Sequence, residues 1–244
     1  MSLLAFENVS KSLSDGPRSI AVLDDVSFEV DPGDYVGLWG GRRSGKTTVL
    51  ELAAGLVRPD SGRIEFDGCD LAAMSNDERA DRRRCGGIAL ARADWKPYRG
   101  RPVVEHVAEP LWFCKVRPTD ADVLARRALK RVEAGCVEDR RTDALTLSER
   151  IRVELARALV REPRLLLVDE PALLASPREA RELYALLRSL GSEDDMAVLI
   201  ASTEASALTG ALRILSIDNG RVRSTDSRRK VLPFRRAGAE PSAS

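Results

Sequence analysis

An α/β fold is what this sequence predicts, and three observations predict it. Short apolar runs alternate with segments of helical periodicity from residue 35 onward. One of those runs, LLLVDE at 165–170, is apolar until it ends in two carboxylates, the pattern of a parallel strand buried on both faces. A glycine-rich turn at 40–45 stands directly between a short apolar strand and a helix.

The elements follow in order. LLAFENVS and VLDDVSFEV alternate apolar and polar residues around SLSDGPRS, which predicts two strands and an antiparallel sheet at the start of the chain. After the DPGD turn, Tyr35 to Trp39 read as a strand, and Lys46 to Leu56 as a helix. RPDSGRIEFDG is a turn, a strand and a turn, and NDERADRRR is a solvated helix. ALARADWKPYRGRP, at 89–102, reads as an irregular connector, and helical pattern then dominates from Val103 to about Arg141. We assign this stretch to an inserted helical subdomain at about 92–160. A further helix starts near Ser148, REARELYALLRSL is helical, AVLIAS is a strand, and RILSIDNGRV is a hairpin turning at Asn-Gly. The predicted domain is 1–222, and 223–244 is a polar, basic tail with too little apolar content to order itself.

The chain has 244 residues, 43% hydrophobic and 32% charged, enough to bury a sizeable core. A net charge of +1 gives no basis for nucleic-acid binding. No run approaches the roughly 18 apolar residues that cross a bilayer, and the first residues lack a signal-peptide pattern, so a cytoplasmic location is expected. Cys69, Cys85, Cys114 and Cys136 are irregularly spaced and contain no CxxC pair, which points to packing rather than metal binding or disulfides. The single histidine, His106 in VVEHVAEPL, reads as structural.

Gly40-Gly41-Arg42-Arg43-Ser44-Gly45-Lys46-Thr47 has the P-loop spacing of Gly, four residues, then Gly-Lys-Thr. Small residues let backbone N–H groups wrap phosphate oxygens, and the helix that follows adds its N-terminal dipole. Lys46 is expected to reach the β- and γ-phosphates, Thr47 to supply a hydroxyl to Mg²⁺, and Thr48 to lie near the α-phosphate. Asp169 is the expected metal-holding carboxylate and Glu170 the residue that polarises water. Together they predict a P-loop NTPase core that carries an N-terminal antiparallel β subdomain and an inserted α-helical subdomain. Arg42 and Arg43 stand where small or polar residues are usual, and from sequence they either strengthen phosphate binding or obstruct the loop.

VLDDVSFEVDPGDYVGLWG, GLVRPDSGRIEFDG, VELARALVREPRLLLVDEP and IDNGRV occur in the order in which they occur in ABC transporter ATP-binding subunits, and the chain resembles that family from about Leu4 to Val222. SIAVLDDVSFEV, DLAAMSNDERADRRR and EHVAEPL are similar to the branch serving lipoprotein-release, macrolide-export and cell-division permeases. The resemblance implies ATP and Mg²⁺ as ligands and a membrane permease subunit as partner. It also implies pairing with a second ATP-binding subunit, identical or not, and a peripheral position on the inner face of the cell membrane.

The sequence departs from the family at five places. Where the family has LSGGQ, the ungapped register places Leu145-Thr146-Leu147-Ser148-Glu149; starting instead at Leu147-Ser148 requires a two-residue deletion. Thr146 with Glu149 forms a capping-box pattern, so a carboxylate is expected at the helix N-terminus where phosphate would bind. The family's loop glutamine falls near Ala91 to Ala93, and this chain contains no glutamine at all. Thr203 replaces the switch histidine, Leu13 the adenine-stacking aromatic residue, and Ser176 the inter-subunit aspartate. The implied function is an ATP-binding transporter subunit with weak or partner-dependent hydrolysis. The alternative is a regulatory or scaffolding pseudo-ATPase that holds nucleotide as a structural ligand. A kinase or GTPase is disfavoured, since no NKxD motif occurs.

Overall fold

A computed structural model describes residues 2–15, 18–84, 87–93, 100–173, 175–192 and 195–226. The antiparallel start is present: β1 (Leu4–Asp15) pairs with β2 (Arg18–Val30). β3 (Tyr35–Trp39) leads through the glycine-rich loop into α1 (Lys46–Ala53). The helix stops three residues before the predicted end because Gly55 turns the chain at φ 62°. β4 (Ser61–Phe66) and the two-residue β5 (Cys69–Asp70) complete a four-stranded sheet in the order β2-β1-β4-β5. α2 (Asn76–Arg84) is the predicted solvated helix, with Asp77 and Glu78 in its first turn and three arginines in its last.

β6 (Ile88–Arg92) was not expected, since ALAR read as part of a connector. It is the edge strand of the large sheet, parallel to β7 (Leu165–Asp169), with Ala89 opposite Leu166 and Arg92 opposite Asp169. Its composition conceals such a strand: Ala89, Ala91 and Arg92 leave Ile88 as its one β-branched residue. The remaining elements are α3 (Val103–Phe113), α4 (Pro118–Arg131), α5 (Leu147–Leu159), α6 (Pro177–Ser192), β8 (Ala197–Ser202), β9 (Arg213–Asp218) and β10 (Arg221–Asp226). β9 and β10 turn at Asn219 and Gly220, both at positive φ, as an Asn-Gly hairpin requires. β10 continues four residues beyond Val222 into the segment read as tail; residues 227–244 lie outside the described residues.

The large sheet has the order β10-β9-β3-β8-β7-β6, parallel except for β10. Its two faces explain why β7 is apolar from Leu165 to Val168. Leu166 and Val168 enter a core shared with α3 to α6, whereas Leu165 and Leu167 enter one shared with α1 and the antiparallel sheet. Each leucine so buried contributes about 1.5–3 kcal/mol. His106 is buried on α3 with Nε2 3.9 Å from Glu154 Oε2 of α5, a packing position within the helical region.

Candidate phosphate-binding site

Four neighbouring strands end at one edge of the sheet and deliver the site. The glycine-rich loop leaves β3, Thr203 follows β8, Glu170 follows β7, and Arg92 closes β6. Open α/β sheets place ligands at the carboxyl ends of their strands, and this edge is where the chemistry gathers. The loop itself demands glycine at two points. A Cβ on Gly40 would lie 2.6 Å from both Ser44 Oγ and the Ile217 carbonyl oxygen. Gly45 stands at φ 106° as the N-cap of α1, where a Cβ would come within 2.9 Å of Leu23. Gly41 is different: a Cβ there meets nothing within 4 Å. Arg42 and Arg43 are both exposed, and Arg43 takes φ 61°, so neither guanidinium is packed inside the loop.

Lys46 is 6% exposed, and its ammonium is held by the loop that it serves. Nζ donates to the Gly40 carbonyl at 2.8 Å and the Gly41 carbonyl at 2.9 Å, and lies 3.3 Å from Glu170 Oε1. The Thr47 hydroxyl donates to Asp169 Oδ2 at 2.9 Å, which joins the two predicted metal-holding groups. Thr48 is buried in the first turn of α1. Glu170 sits in the left-handed region at φ 45°, pinned by its N–H to the Ala201 carbonyl at 3.0 Å. A non-glycine residue held there costs about 1–3 kcal/mol, and such positions concentrate at functional sites.

At this site two buried oxygens have no hydrogen-bond partner among the described residues, Ser44 Oγ in the loop and Asp169 Oδ1 at the strand end; a third, Glu138 Oε2, lies away from it in the helical region. An unsatisfied buried polar atom costs about 1–3 kcal/mol, so both are groups prepared for something outside the chain. Ser44 offers a hydroxyl to an anion, and Asp169 beside Thr47 offers hard oxygen ligands to Mg²⁺. The residues therefore fit a metal-bound polyphosphate.

Burial raises the Asp169 carboxyl above the usual aspartate range, opposed by the Thr47 hydrogen bond and the charge of Arg92 and reinforced by Glu170. With the folded value raised, ionised Asp169 destabilises the ligand-free protein. That cost is absent below the ordinary aspartate range and develops as pH rises through the raised value. Asp169→Asn is expected to raise the nucleotide-free melting temperature by a few degrees at pH 7. Thermal denaturation across pH checks it, because the gap between the two proteins must close as pH falls.

The region matching the family signature lies at the start of α5. Thr146 is the N-cap, its Oγ1 accepting from the Glu149 N–H at 3.3 Å while its N–H donates to Glu149 Oε2 at 2.8 Å. Arg140 Nη1 adds a 2.7 Å bond to Glu149 Oε1. Burial acts upwards on this carboxyl, but Thr146 and Arg140 hold it below the ordinary glutamate range. The helix N-terminus is thus already occupied by an anion from its own chain. At the switch position the N–H and hydroxyl of Thr203 donate to Glu170 Oε2 at 3.2 and 3.4 Å. Leu13 stands opposite Ile20 in the β1–β2 register, 45% and 50% exposed, with no aromatic ring between them. Ser176 and Glu179 form a reciprocal cap at the start of α6.

Sequence reasoning missed three contributors. Trp39 Nε1 donates to the Thr203 carbonyl at 3.2 Å. The buried Tyr184 hydroxyl, pushed up to about 12 mainly by burial, donates to Ser202 Oγ at 3.2 Å and so anchors the switch segment from α6. Arg92 Nη1 lies 3.1 Å from Glu51 Oε1, beside Asp169. Only Arg92 carried a signal: it falls within the stretch where the glutamine is missing. Between α6 and the segment after β8 a cleft of about 770 Å³ runs from Arg42 and Glu170 to Tyr184 and Arg188.

Comparison with known proteins agrees with this geometry. The family model described as ABC transporter matches residues 23–173. The sulfate/thiosulfate import ATP-binding protein CysA of Bradyrhizobium diazoefficiens is 35% identical over 214 residues, covering 86% of this chain; the chain spans 60% of that protein's length. The lipoprotein-releasing system ATP-binding protein LolD of Pseudomonas syringae pv. tomato is 31% identical over 221 residues, covering 90% of this chain and 96% of LolD. In three dimensions, the ATP-binding cassette MJ0796, solved as a dimer in a post-hydrolysis state with ADP and Pi, superposes with a TM-score of 0.83 at 25% identity. The superposition covers 92% of this chain and 99% of that one. With sequence, strand order and loop geometry in agreement, the chain belongs to the ABC transporter family of ATP-binding proteins.

Proposed function

We propose that this chain is the ATP-binding subunit of a membrane transporter, taking Mg-ATP at the strand-end site and coupling to a permease subunit. The single observation that carries the reading is the pair of unpartnered buried oxygens, Ser44 Oγ and Asp169 Oδ1, flanking Lys46 in a loop built around Gly40 and Gly45. Gly40, Gly41, Ser44, Gly45, Lys46, Thr47 and Thr48 form the phosphate cradle, and Arg42 and Arg43 add positive charge at its exposed rim. Thr47 and Asp169 would hold Mg²⁺, which when bound would supply charge neutralisation to the phosphate groups. Lys46 leaves the Gly40 and Gly41 carbonyls to meet phosphate, and Glu170 orients water.

We place the ATP-binding domain at 1–226, four residues beyond the boundary expected from sequence so that it takes in all of β10, with the helical subdomain at about 92–160 as the permease-facing part. The chain acts as one of a pair, with a copy of itself or a homologous subunit, on the inner face of the cell membrane. No helix among the described residues is long and apolar enough to cross a membrane. The named relatives serve import or release systems, which favours transport over the regulatory pseudo-ATPase reading.

Calorimetric titration with ATP and GTP tests the assignment. Both are expected to bind, because phosphate contacts dominate. The ATP preference should stay within about tenfold, or ~1.4 kcal/mol, since Leu13 and Ile20 offer apolar contact but no aromatic face. Absence of binding would overturn the ATP site; a preference above about a hundredfold, or ~2.7 kcal/mol, would require an adenine contact elsewhere.

A further inference from the structure

Helix α6 turns one face toward the segment that follows β8. Pro177, Ala180, Arg181, Tyr184 and Arg188 recur at helical spacing and form one wall of the cleft of about 770 Å³ between them. Residues in and after the short turn Ala205–Leu208 form the other wall. Small side chains, Ala180 on one wall and Ala207 on the other, leave the room. Tyr184 and Ser202, joined by a 3.2 Å hydrogen bond, add hydroxyl groups to the lining. A space of about 300–1,000 Å³ with mixed apolar and polar walls is what a small organic ligand occupies. The lining includes neither Lys46 nor Ser44, so this space is separate from the phosphate cradle.

The charges of the cleft say what kind of ligand. Arg42, Arg181 and Arg188 all line it, and none of the three makes a hydrogen bond or an ion pair with a described residue. Elsewhere the chain pairs its arginines: Arg126 with Glu138, Arg140 with Glu149 and Arg152 with Glu133, each at 2.7 Å. On α6 itself Arg178 is paired with Glu182 at 2.9 Å, while Arg181 and Arg188 are not paired. The position of Arg188 is built in, because a Cβ on Gly210, at φ 92°, would collide with its Nη1. The acidic residues of the lining are Glu170 and Glu204, and Glu170 already faces Lys46 at 3.3 Å. Positive charge is therefore in surplus. Arg181 and Arg188 are two helical turns apart, about 10 Å along the axis of α6. A lone small anion can meet one of them, whereas an organic molecule with two anionic groups can meet both. Guanidinium forks match carboxylate and phosphate groups in particular.

We propose that the cleft between α6 and the segment after β8 binds a small organic polyanion with two or more carboxylate or phosphate groups, held by Arg181 and Arg188 with Arg42 at the mouth. Such a ligand lies beside Glu170 and Thr203, which line the same space. The proposal goes beyond the ATP site and does not depend on it. Its competitor is a set of arginines that only solvate an exposed helix face.

The test is calorimetric titration of the full chain, without nucleotide or metal and at constant ionic strength, with citrate, with fructose 1,6-bisphosphate and with acetate as a monoanion control. At least one of the two polyanions is expected to bind with a Kd below about 1 mM, and acetate more than about tenfold more weakly. Which of the two binds more tightly tells whether carboxylate or phosphate is read. Arg181→Gln and Arg188→Gln should each weaken that binding by more than about fivefold, while Arg178→Gln, which removes the same charge from the same helix outside the cleft, should change it by less than about twofold. All three arginines are exposed, so the variants keep the fold. The proposal is overturned if neither polyanion binds below about 1 mM. It is also overturned if Arg181→Gln and Arg188→Gln bind as the wild type does, which would put the anion elsewhere, the phosphate loop included. A loss in Arg178→Gln equal to theirs would overturn it too, as an effect of overall charge.

Discussion

Replacing Lys46 by alanine is expected to abolish the stabilisation that ATP confers. A ligand that binds only the folded state adds RT ln(1 + [L]/Kd), about 2.7 kcal/mol when ATP is at a hundred times its Kd. For a domain of this size that corresponds to a rise of roughly 5–10 °C in melting temperature. The loss in the variant has a specific cause. Lys46 is the buried ammonium inside the loop, already desolvated and held by the Gly40 and Gly41 carbonyls, so it meets phosphate without first shedding water. Without ligand the variant should be less stable by about 1–2 kcal/mol, since two carbonyls lose a donor and Glu170 loses its 3.3 Å partner. Differential scanning calorimetry with and without millimolar ATP separates the two effects, because the first appears only as a lost shift and the second as a lower baseline. An equal ATP-induced rise in both proteins would mean that nucleotide binds elsewhere.

The arrangement of the candidate phosphate site was legible in the sequence because its parts are local. Gly40 and Gly45 are required by contacts that a Cβ cannot make, and Lys46 and Thr47 follow them at fixed offsets on one helix. The core strands β3, β7 and β8 were legible because burial on both faces forces an apolar run. The capping box at Thr146 and Glu149 was legible for the same local reason, and both of its hydrogen bonds are made. What escaped depends on register between distant segments. Nothing within ALAR announces that Arg92 will stand opposite Asp169, a partner more than seventy residues away, and alanines at 89 and 91 remove the β-branched pattern that marks a strand. The anchoring of Ser202 by Tyr184 and of Thr203 by Trp39 is equally non-local. Sequence supplied the parts of the candidate phosphate loop; topology supplied the side chains that set how the carboxylates are held.

Those held carboxylates lead to the second large effect: the isolated protein is expected to release phosphate from ATP at well below the ordinary enzymatic rate of about 1 s⁻¹. Three features combine. Glu170 has both oxygens engaged, Oε1 by Lys46 and Oε2 by the N–H and hydroxyl of Thr203, so orienting water requires one of these contacts to open. Thr203 brings no imidazole to a terminal phosphate. In a head-to-tail pair the start of α5 would face the partner's nucleotide, and there Glu149, fixed by Thr146 and Arg140, places a carboxylate where a phosphate must approach a helix N-terminus. Losing one transition-state donor costs about a hundredfold, and although such losses do not simply add, a homodimer suffers them on both sides of each site. A heterodimer with a more complete subunit would restore only the partner's helix N-terminus at this chain's Lys46 and Glu170, leaving Thr203 in place. Its rate should therefore rise above that of the homodimer but remain asymmetric between the two sites. The measurement is steady-state phosphate release by the wild type and by Glu170→Gln, alone and with the candidate permease and second subunit. Turnover near or above about 1 s⁻¹ by the isolated wild type, abolished in Glu170→Gln, would mean that Glu149 and Thr203 do not impede hydrolysis and that the departures at these positions have been compensated elsewhere in the chain.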